Sequence, residues 1–375
     1  MLLQATDRGL YCAAADLYID PWAPVPRAVV THAHADHLQP GCGSYLVARD
    51  GLLVTRARLG DEAPIQTAAY GEALTLNGVE VSLHPAGHIL GSAQVRLAYR
   101  GEVAVVSGDY RPGPSPTCAP FEPVHCHTFV TEATFGLPIF RWVPDAAVFA
   151  EINAWWAANR DRGSASLLFG YALGKAQRLL ADIDPAIGPI YTHGAVERLV
   201  AAYRAGGVAL PPTRPVAEES RARADWRGAL IVAPPWAHQS PWARRFGTAA
   251  TALASGWMRI RGTRRRRAVD RGFVLSDHAD WPGLLGAIAA TGAAEVWVMH
   301  GYAPVLARWL RDQGLDARPI ATPARGEQDE EVAARPEPET GPTEVAAHAG
   351  PEAGLAGMET HAAPEAGPAG MEAGP

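Results

Sequence analysis

A chain of 375 residues is long enough for two compact domains, or for one large domain carrying an insertion. Apolar residues make up 48% of it, and 38 Gly and 32 Pro suit a loop-rich α/β protein, yet no run approaches the roughly 20 apolar residues of a membrane span. The net charge of −6 is uneven: residues 325–375 hold 11 acidic and 2 basic side chains, leaving +3 for residues 1–324, a balance compatible with a polyanionic substrate. The first eight residues lack the basic-then-apolar order of a secretory signal, so a cytoplasmic protein is expected. Cys12, Cys42, Cys118 and Cys126 show no CxxC spacing, which argues against a disulfide framework or a zinc ribbon. Lys175 is the only lysine.

Short β-rich runs dominate residues 1–135. Residues 27–31 read as a buried strand leading into a histidine cluster, and residues 79–83, 94–99 and 103–107 as further strands between Gly and Pro turns. From Asp145 the pattern changes to a helix over 145–159, a strand over 166–170, a helix over 175–183, a strand over 189–192, a helix over 195–205 and a strand over 229–233. Such alternation predicts a small parallel sheet. Two more strand–helix units follow, 272–276 with 281–291 and 295–299 with 303–313. Residues 1–140 and 268–324 are therefore expected to form one domain, interrupted by an α/β insertion at 141–267. Residues 325–375, rich in Pro, Gly, Ala and Glu, contain a 13-residue repeat at 348–360 with a near copy at 361–373. This tail is expected to be disordered, because it cannot bury enough apolar surface to offset its chain entropy, and its His348 and His361 are expected to be inert.

Thr31-His32-Ala33-His34-Ala35-Asp36-His37 is the strongest chemical signal. A loop after a buried strand can turn His32 and His34 towards one ion while Asp36 and His37 reach a second, and imidazole with carboxylate is a donor set that Zn²⁺ or Mn²⁺ accepts. Three further residues share a position type: His88 in a Gly-punctuated loop between strands, and Asp109 and His300 at the ends of apolar strands, where α/β sites assemble. A carboxylate such as Asp109 can bridge two ions. Asp20 either orients a ligand histidine or is a turn residue before Pro21. His84, His125, His127, His193 and His238 have no matching context, although the last two end strands of the insertion and could meet substrate. Arg259, Arg261, Arg264, Arg265, Arg266, Arg267 and Arg271 form the densest basic stretch, able to clamp phosphates, with Trp257 and Trp281 bracketing it and able to stack on bases. The bland alternative is a solvated charge run. Gly170 to Gly174 ahead of Lys175 either offer N–H groups to a phosphate or make a routine strand–helix turn.

The cluster at 32–37 with His88, Asp109 and His300 resembles the successive motifs of the metallo-β-lactamase fold. Thr131-Glu132-Ala-Thr-Phe-Gly136, Ser276-Asp-His278-Ala-Asp280 and Met299-His300-Gly301 resemble the three further motifs of the β-CASP nucleases. More closely, Gly9-Leu-Tyr-Cys12, Tyr171-Ala-Leu-Gly-Lys-Ala-Gln177 and the run from Gly256 through the arginines to Trp281 are similar to the bacterial ligase-associated DNA exonucleases. The resemblance spans roughly residues 5–320. It implies a metallo-β-lactamase αββα sandwich with an inserted α/β β-CASP domain, and two divalent ions, zinc first and manganese as the alternative. One ion would sit on His32, His34 and His88, the other on Asp36, His37 and His300, with Asp109 bridging and Glu132 orienting His278. The implied catalytic residues are Asp36, Asp109, Glu132 and His278. Arg259, Arg261, Arg264, Arg265, Arg266, Arg267 and Lys175 are the substrate-binding candidates. The implied activity is hydrolysis of DNA phosphodiesters, an exonuclease of DNA repair acting with a DNA ligase and a helicase and away from membranes. RNA is the alternative substrate, because a histidine at the third β-CASP motif is more typical of RNA-cleaving members. A small-molecule hydrolase of the same fold would need neither the insertion nor the arginines, and an inactive scaffold would not need a complete ligand set.

Overall fold

Alternate residues of the strand Glu295–Met299 face opposite layers: Trp297 and Met299 pack between two sheets, while Val296 and Val298 pack against helices. The same period of two sends Ala104 and Val106 inward and Val105 outward in the neighbouring strand Glu102–Val106. The computed structural model describes residues 2–219 and 225–323, except for the side chains of Thr263, Arg264 and Arg266; the expected disordered tail lies outside the described residues. Those described all belong to one compact unit, Met1–Arg335, a mixed α/β structure with three sheets.

The first sheet runs in the order Gln4–Thr6, Gly9–Cys12, Leu17–Ile19, Ala28–Val29, Tyr45–Ala48, Ile65–Ala68. The second runs Asp316–Pro319, Glu295–Met299, Thr128–Glu132, Glu102–Val106, Ala93–Tyr99, Val79–Pro85, Leu74–Leu76. Leu10, Leu17, Ile19 and Val29 of the first meet Val81, Leu83, Val95 and Val130 of the second in one apolar layer. The helices Trp281–Thr291 and Ala303–Asp312 cover the second sheet's outer face through Leu284, Ile288, Leu306 and Leu310. Val54 of the helix Leu52–Leu59 covers that of the first, beside Val30 and Val47.

The third sheet is parallel throughout, in the order Arg214–Pro215, Ile190–Thr192, Leu230–Ala233, Ser166–Phe169, Ala250–Ala254, Arg271–Phe273. The helices Asp145–Asp161, Lys175–Asp182 and Gly194–Ala205 cover one face. The strand expected over 272–276 lies here, as Arg271–Phe273 beside Ala250–Ala254, so this sheet continues past residue 267.

Three strands of the second sheet define a common edge. Glu102–Val106, Thr128–Glu132 and Glu295–Met299 are mutually parallel, so their C-terminal ends lie on the same side. The hairpin of Val79–Pro85 and Ala93–Tyr99 turns at that edge too. In the first sheet the strand expected over 27–31 contracts to Ala28–Val29. Val30 N–H still bonds Leu46 carbonyl, but Thr31 N–H leaves the ladder for the Asp20 carboxylate.

Phe129 is fully buried between the second sheet and its helices. Phe129→Ala is expected to lower the unfolding free energy by roughly 3–5 kcal/mol in urea titration; a loss below about 1 kcal/mol would mean that this layer is not tightly packed.

Candidate metal centre

At the shared edge, buried imidazoles and carboxylates are held first from behind. Asp20, itself in a left-handed conformation (φ 44°), accepts Thr31 N–H on Oδ1 at 2.8 Å. Its Oδ2 accepts the Thr31 hydroxyl at 2.6 Å and His37 Nδ1–H at 2.7 Å. With its own proton given to Asp20, Thr31 Oγ1 accepts from His32 Nδ1, 3.0 Å away. These bonds make Nδ1 of each ring the outer nitrogen and turn Nε2 of both His32 and His37 inward. The two nitrogens lie 3.6 and 3.5 Å from Asp109 Oδ2.

A second pair is held from further away in the chain. Leu173 carbonyl accepts His34 Nε2–H at 3.4 Å, and Asp277 carbonyl accepts His88 Nδ1–H at 2.9 Å. The remaining nitrogens, His34 Nδ1 and His88 Nε2, stand 3.1 Å apart, close enough to share a proton between neutral rings or to bind one cation together. Burial and neighbouring imidazoles hold His32 and His34 well below the ordinary histidine range, and burial with His278 pushes His88 down to about 4, so these rings stay neutral.

Asp109 is common to every group. Its Oδ2 also lies 3.9 Å from His88 Nε2 and 3.8 Å from His278 Nδ1. Burial pushes its pKa up, but His37 and His278 outweigh that and hold the carboxyl well below the usual range. Burial lowers His37, but Asp36, Asp109 and Asp20 together carry it well above the ordinary value. Three carboxylates thus hold positive charge here, as the imidazolium of His37, whose Nε2 proton a bound ion would displace.

The donor atoms of His32, His34, His88 and Asp109 all lie within 4.8 Å of one another, as do those of His37, Asp109 and His300, and those of Asp109, Glu132 and His278. His300 reaches its place through a left-handed turn (φ 58°) followed by Gly301 (φ 46°), where a Cβ would strike Ala133 carbonyl at 2.4 Å. Asp36 Oδ2 lies 3.7 Å from His37 Nε2. His32 Nε2, His37 Nε2, Asp36 Oδ2 and Asp109 Oδ1 are buried without a hydrogen-bond partner. Buried polar atoms rarely go unpaired, and four such nitrogen and oxygen atoms left without a partner in one place fit divalent cations.

Glu132 stands beside this set. Its oxygens accept Tyr110 N–H at 2.9 Å and Thr134 N–H at 3.3 Å, and both lie 3.0 Å from His278 Nδ1. The structure therefore gathers His32, His34, Asp36, His37, His88, Asp109, Glu132, His278 and His300 at one edge, with Asp20 behind them.

Other expectations are corrected. Lys175 cannot meet a substrate phosphate: it is fully buried, with Nζ 2.8 Å from Asp277 Oδ2. Gly170 N–H is spent on Ala233 carbonyl and Gly174 N–H on Gln177 Oε1, so that turn offers neither to a phosphate. Trp281 is buried edge-on against Trp309 rather than placed for stacking. Trp257 packs on Phe135, with ring centroids 4.8 Å apart, and lines a cavity of about 580 Å³ with His300 and Tyr302. In the basic stretch Arg261 and Arg265 are exposed, and Arg259 Nε donates to Ile139 carbonyl at 3.2 Å. Arg271 pairs with Glu151 at 3.1 Å, Arg267 is half-buried, and the Arg264 and Arg266 side chains lie outside those described. His193 serves its own helix, Nδ1 accepting Ala195 N–H at 3.0 Å. Sequence reasoning missed Thr31, Arg178 and the anchoring part of Asp277; the solitary lysine in an arginine-rich chain was the available signal for the last two.

No family model matches the chain. It is 32% identical over 311 residues to a probable DNA ligase from Opitutus terrae, covering 82% of this chain and 30% of that protein. To an RNase J-like protein from Methanocaldococcus jannaschii it is 26% identical over 219 residues, 48% of this chain and 50% of the relative. To endoribonuclease ysh1 from Aspergillus fumigatus it is 30% identical over 125 residues, 32% of this chain and 14% of the relative. The chain thus spans half or less of these relatives' lengths. A crystal structure of a protein of unknown function from Enterococcus faecalis V583 matches with a TM-score of 0.53 at 12% identity over 80% of each chain, a likeness of fold alone. The ribonuclease relatives support the metallo-β-lactamase/β-CASP superfamily and, with it, a nuclease-like hydrolase. No helix among the described residues is long and apolar enough to cross a membrane.

Asp20→Ala would strand three buried donors on Thr31 and His37. The metal-free protein is expected to lose at least about 2 kcal/mol of stability. Unchanged urea unfolding would show that Asp20 is not the anchor.

Proposed function

We propose that this chain is a metal-dependent nuclease that hydrolyses DNA phosphodiesters with two divalent ions, zinc first and manganese as the alternative. One observation carries the reading: Asp109 Oδ2 stands within 3.9 Å of imidazole nitrogens of His32, His37, His88 and His278, amid acceptors that have no partner. A carboxylate has an oxygen for each of two ions. His32, His34 and His88 would hold one, Asp36, His37 and His300 the other, and Asp109 both. Bound there, the ions would supply Lewis-acid activation of water and neutralise charge on the phosphoryl oxygens. Glu132 fixes His278 through Nδ1, so Nε2 is the nitrogen that meets substrate and donates to the leaving oxygen. Exposed Arg261 and Arg265 would track the phosphate backbone. In this reading the two packed sheets are a metallo-β-lactamase αββα sandwich and the third sheet is an inserted β-CASP domain.

DNA is preferred because the likeness to the probable DNA ligase extends over 82% of this chain, against 48% and 32% for the ribonucleases. The chain covers only 30% of that protein, so ligation itself does not carry over. We read the activity as end cleavage in repair, beside a ligase; the helicase partner and the ligase-associated exonuclease family rest on the sequence resemblance. RNA processing is the second reading, favoured by His300 and by the ribonuclease relatives.

End-labelled single- and double-stranded DNA and RNA, incubated with Zn²⁺ or Mn²⁺ and then with chelator, test this. Metal-dependent loss of DNA ends is expected; degradation of RNA with DNA spared would overturn the substrate. Asp109→Ala should cut the rate at least ~100-fold. His278→Ala should cut it about 10²- to 10⁴-fold with metal content retained. Arg261→Ala with Arg265→Ala is expected to weaken DNA binding and to lower the slope of log affinity against log salt by about 1–2. An unchanged slope would assign those arginines to solubility.

A further inference from the structure

An imidazole that binds a cation through one nitrogen needs the other held, and the holder tunes both its aim and its basicity. For His34 and His88 both holders come from one buried assembly around the helix Lys175–Asp182, on the third sheet's side of the site. Lys175 Nζ lies 2.8 Å from Asp277 Oδ2, and Arg178 Nη1 donates to Asp277 Oδ1 at 2.7 Å and to Ser276 carbonyl. Arg178 Nη2 reaches Asp145 Oδ2 at 2.6 Å, a carboxylate oxygen that Arg111 also reaches at 2.6 Å. With both carboxylate oxygens gripped, residue 277 cannot turn, and its carbonyl is the one that accepts from His88.

The start of the same helix holds the other imidazole. Gln177 accepts Gly174 N–H at 2.8 Å and donates to Ala172 carbonyl at 2.9 Å, which fixes Leu173 between them. Leu173 carbonyl then accepts from His34. Gly174, at φ 84°, closes the turn against Ile89, the residue after His88; a Cβ there would lie 2.4 Å from Ile89 Cγ2. Lys175, Gln177 and Arg178 are all buried. Stability alone does not explain them, since an apolar pair of similar volume commonly stabilises a core as well as buried ions do. A compact ammonium at 2.8 Å, in a chain that otherwise uses arginine, suits a site where one carboxylate oxygen must be held by a point charge.

We propose that residues 172–178 form a positioning clamp that sets the affinity of one ion site, that of His32, His34, His88 and Asp109, and leaves the His37, Asp109 and His300 site unaffected. The proposal rests on the two-ion reading above. No contact of the clamp runs to His37 or His300 among the bonds described, and Asp109 is the one donor the two sites share, so its effect falls chiefly on the first.

The full chain, stripped of metal, is titrated with Zn²⁺ by calorimetry against a competing chelator. The wild type is expected to bind two ions. Lys175→Met, which releases one oxygen of Asp277, and Gln177→Met, which leaves the ion pairs intact and loosens only Leu173, should each weaken one ion about 10- to 100-fold. The other ion should stay within about threefold of wild type. In a His300→Ala background the ion that Gln177→Met weakens should be the one remaining. Should Lys175→Met fail to fold, the Gln177→Met titration decides. Folded variants with two wild-type affinities, or with both ions weakened equally, overturn the clamp. A wild type that binds fewer than two ions overturns the two-ion reading instead, and the clamp with it.

Discussion

Lone pairs of buried imidazoles and carboxylates repel one another unless a cation stands among them, and this chain concentrates them at one edge. His34 Nδ1 faces His88 Nε2 at 3.1 Å, and Asp109 Oδ2 faces four imidazoles. Every holder behind them, Asp20, Thr31, Leu173 and Asp277, takes the outward proton of a ring and so turns its other nitrogen inward. The arrangement suits positive charge at its centre. Protons do not meet that need at His32, His34 and His88, which burial keeps neutral.

The layers of the fold exist in register with that edge. Parallel pairing of Glu102–Val106, Thr128–Glu132 and Glu295–Met299 brings Asp109, Glu132 and His300 to one side without any sequence proximity among them. The first sheet contributes the cluster at 32–37 by ending its strand early, trading one ladder bond for a bond to Asp20. The third sheet's side holds two of these rings, through Leu173 and through Lys175 and Arg178 on Asp277.

Much of this was legible from residue order. Apolar runs between Gly and Pro turns located four of the second sheet's strands to within two residues but not Leu74–Leu76, Thr128–Glu132 or Asp316–Pro319, and the helix–strand alternation after Asp145 located the third sheet. The spacing of His32, His34, Asp36 and His37, and the strand-end positions of Asp109 and His300, were enough to nominate the donors, because those residue types are costly to bury unless something pairs with them. Pairing between distant segments decided the rest. Nothing local distinguishes a lysine that meets phosphate from one that grips Asp277, and only burial settles it. Nor could the strand near residue 272 be assigned to a sheet by its own pattern; pairing with Ala250–Ala254 did that. Backbone carbonyls are invisible in a sequence of side chains, so the parts of Leu173 and Asp277 had to wait for three dimensions. What the residues determined alone was which side chains are chemically suited to a cation; what only tertiary structure decided was which nitrogen of each ring faces the shared centre.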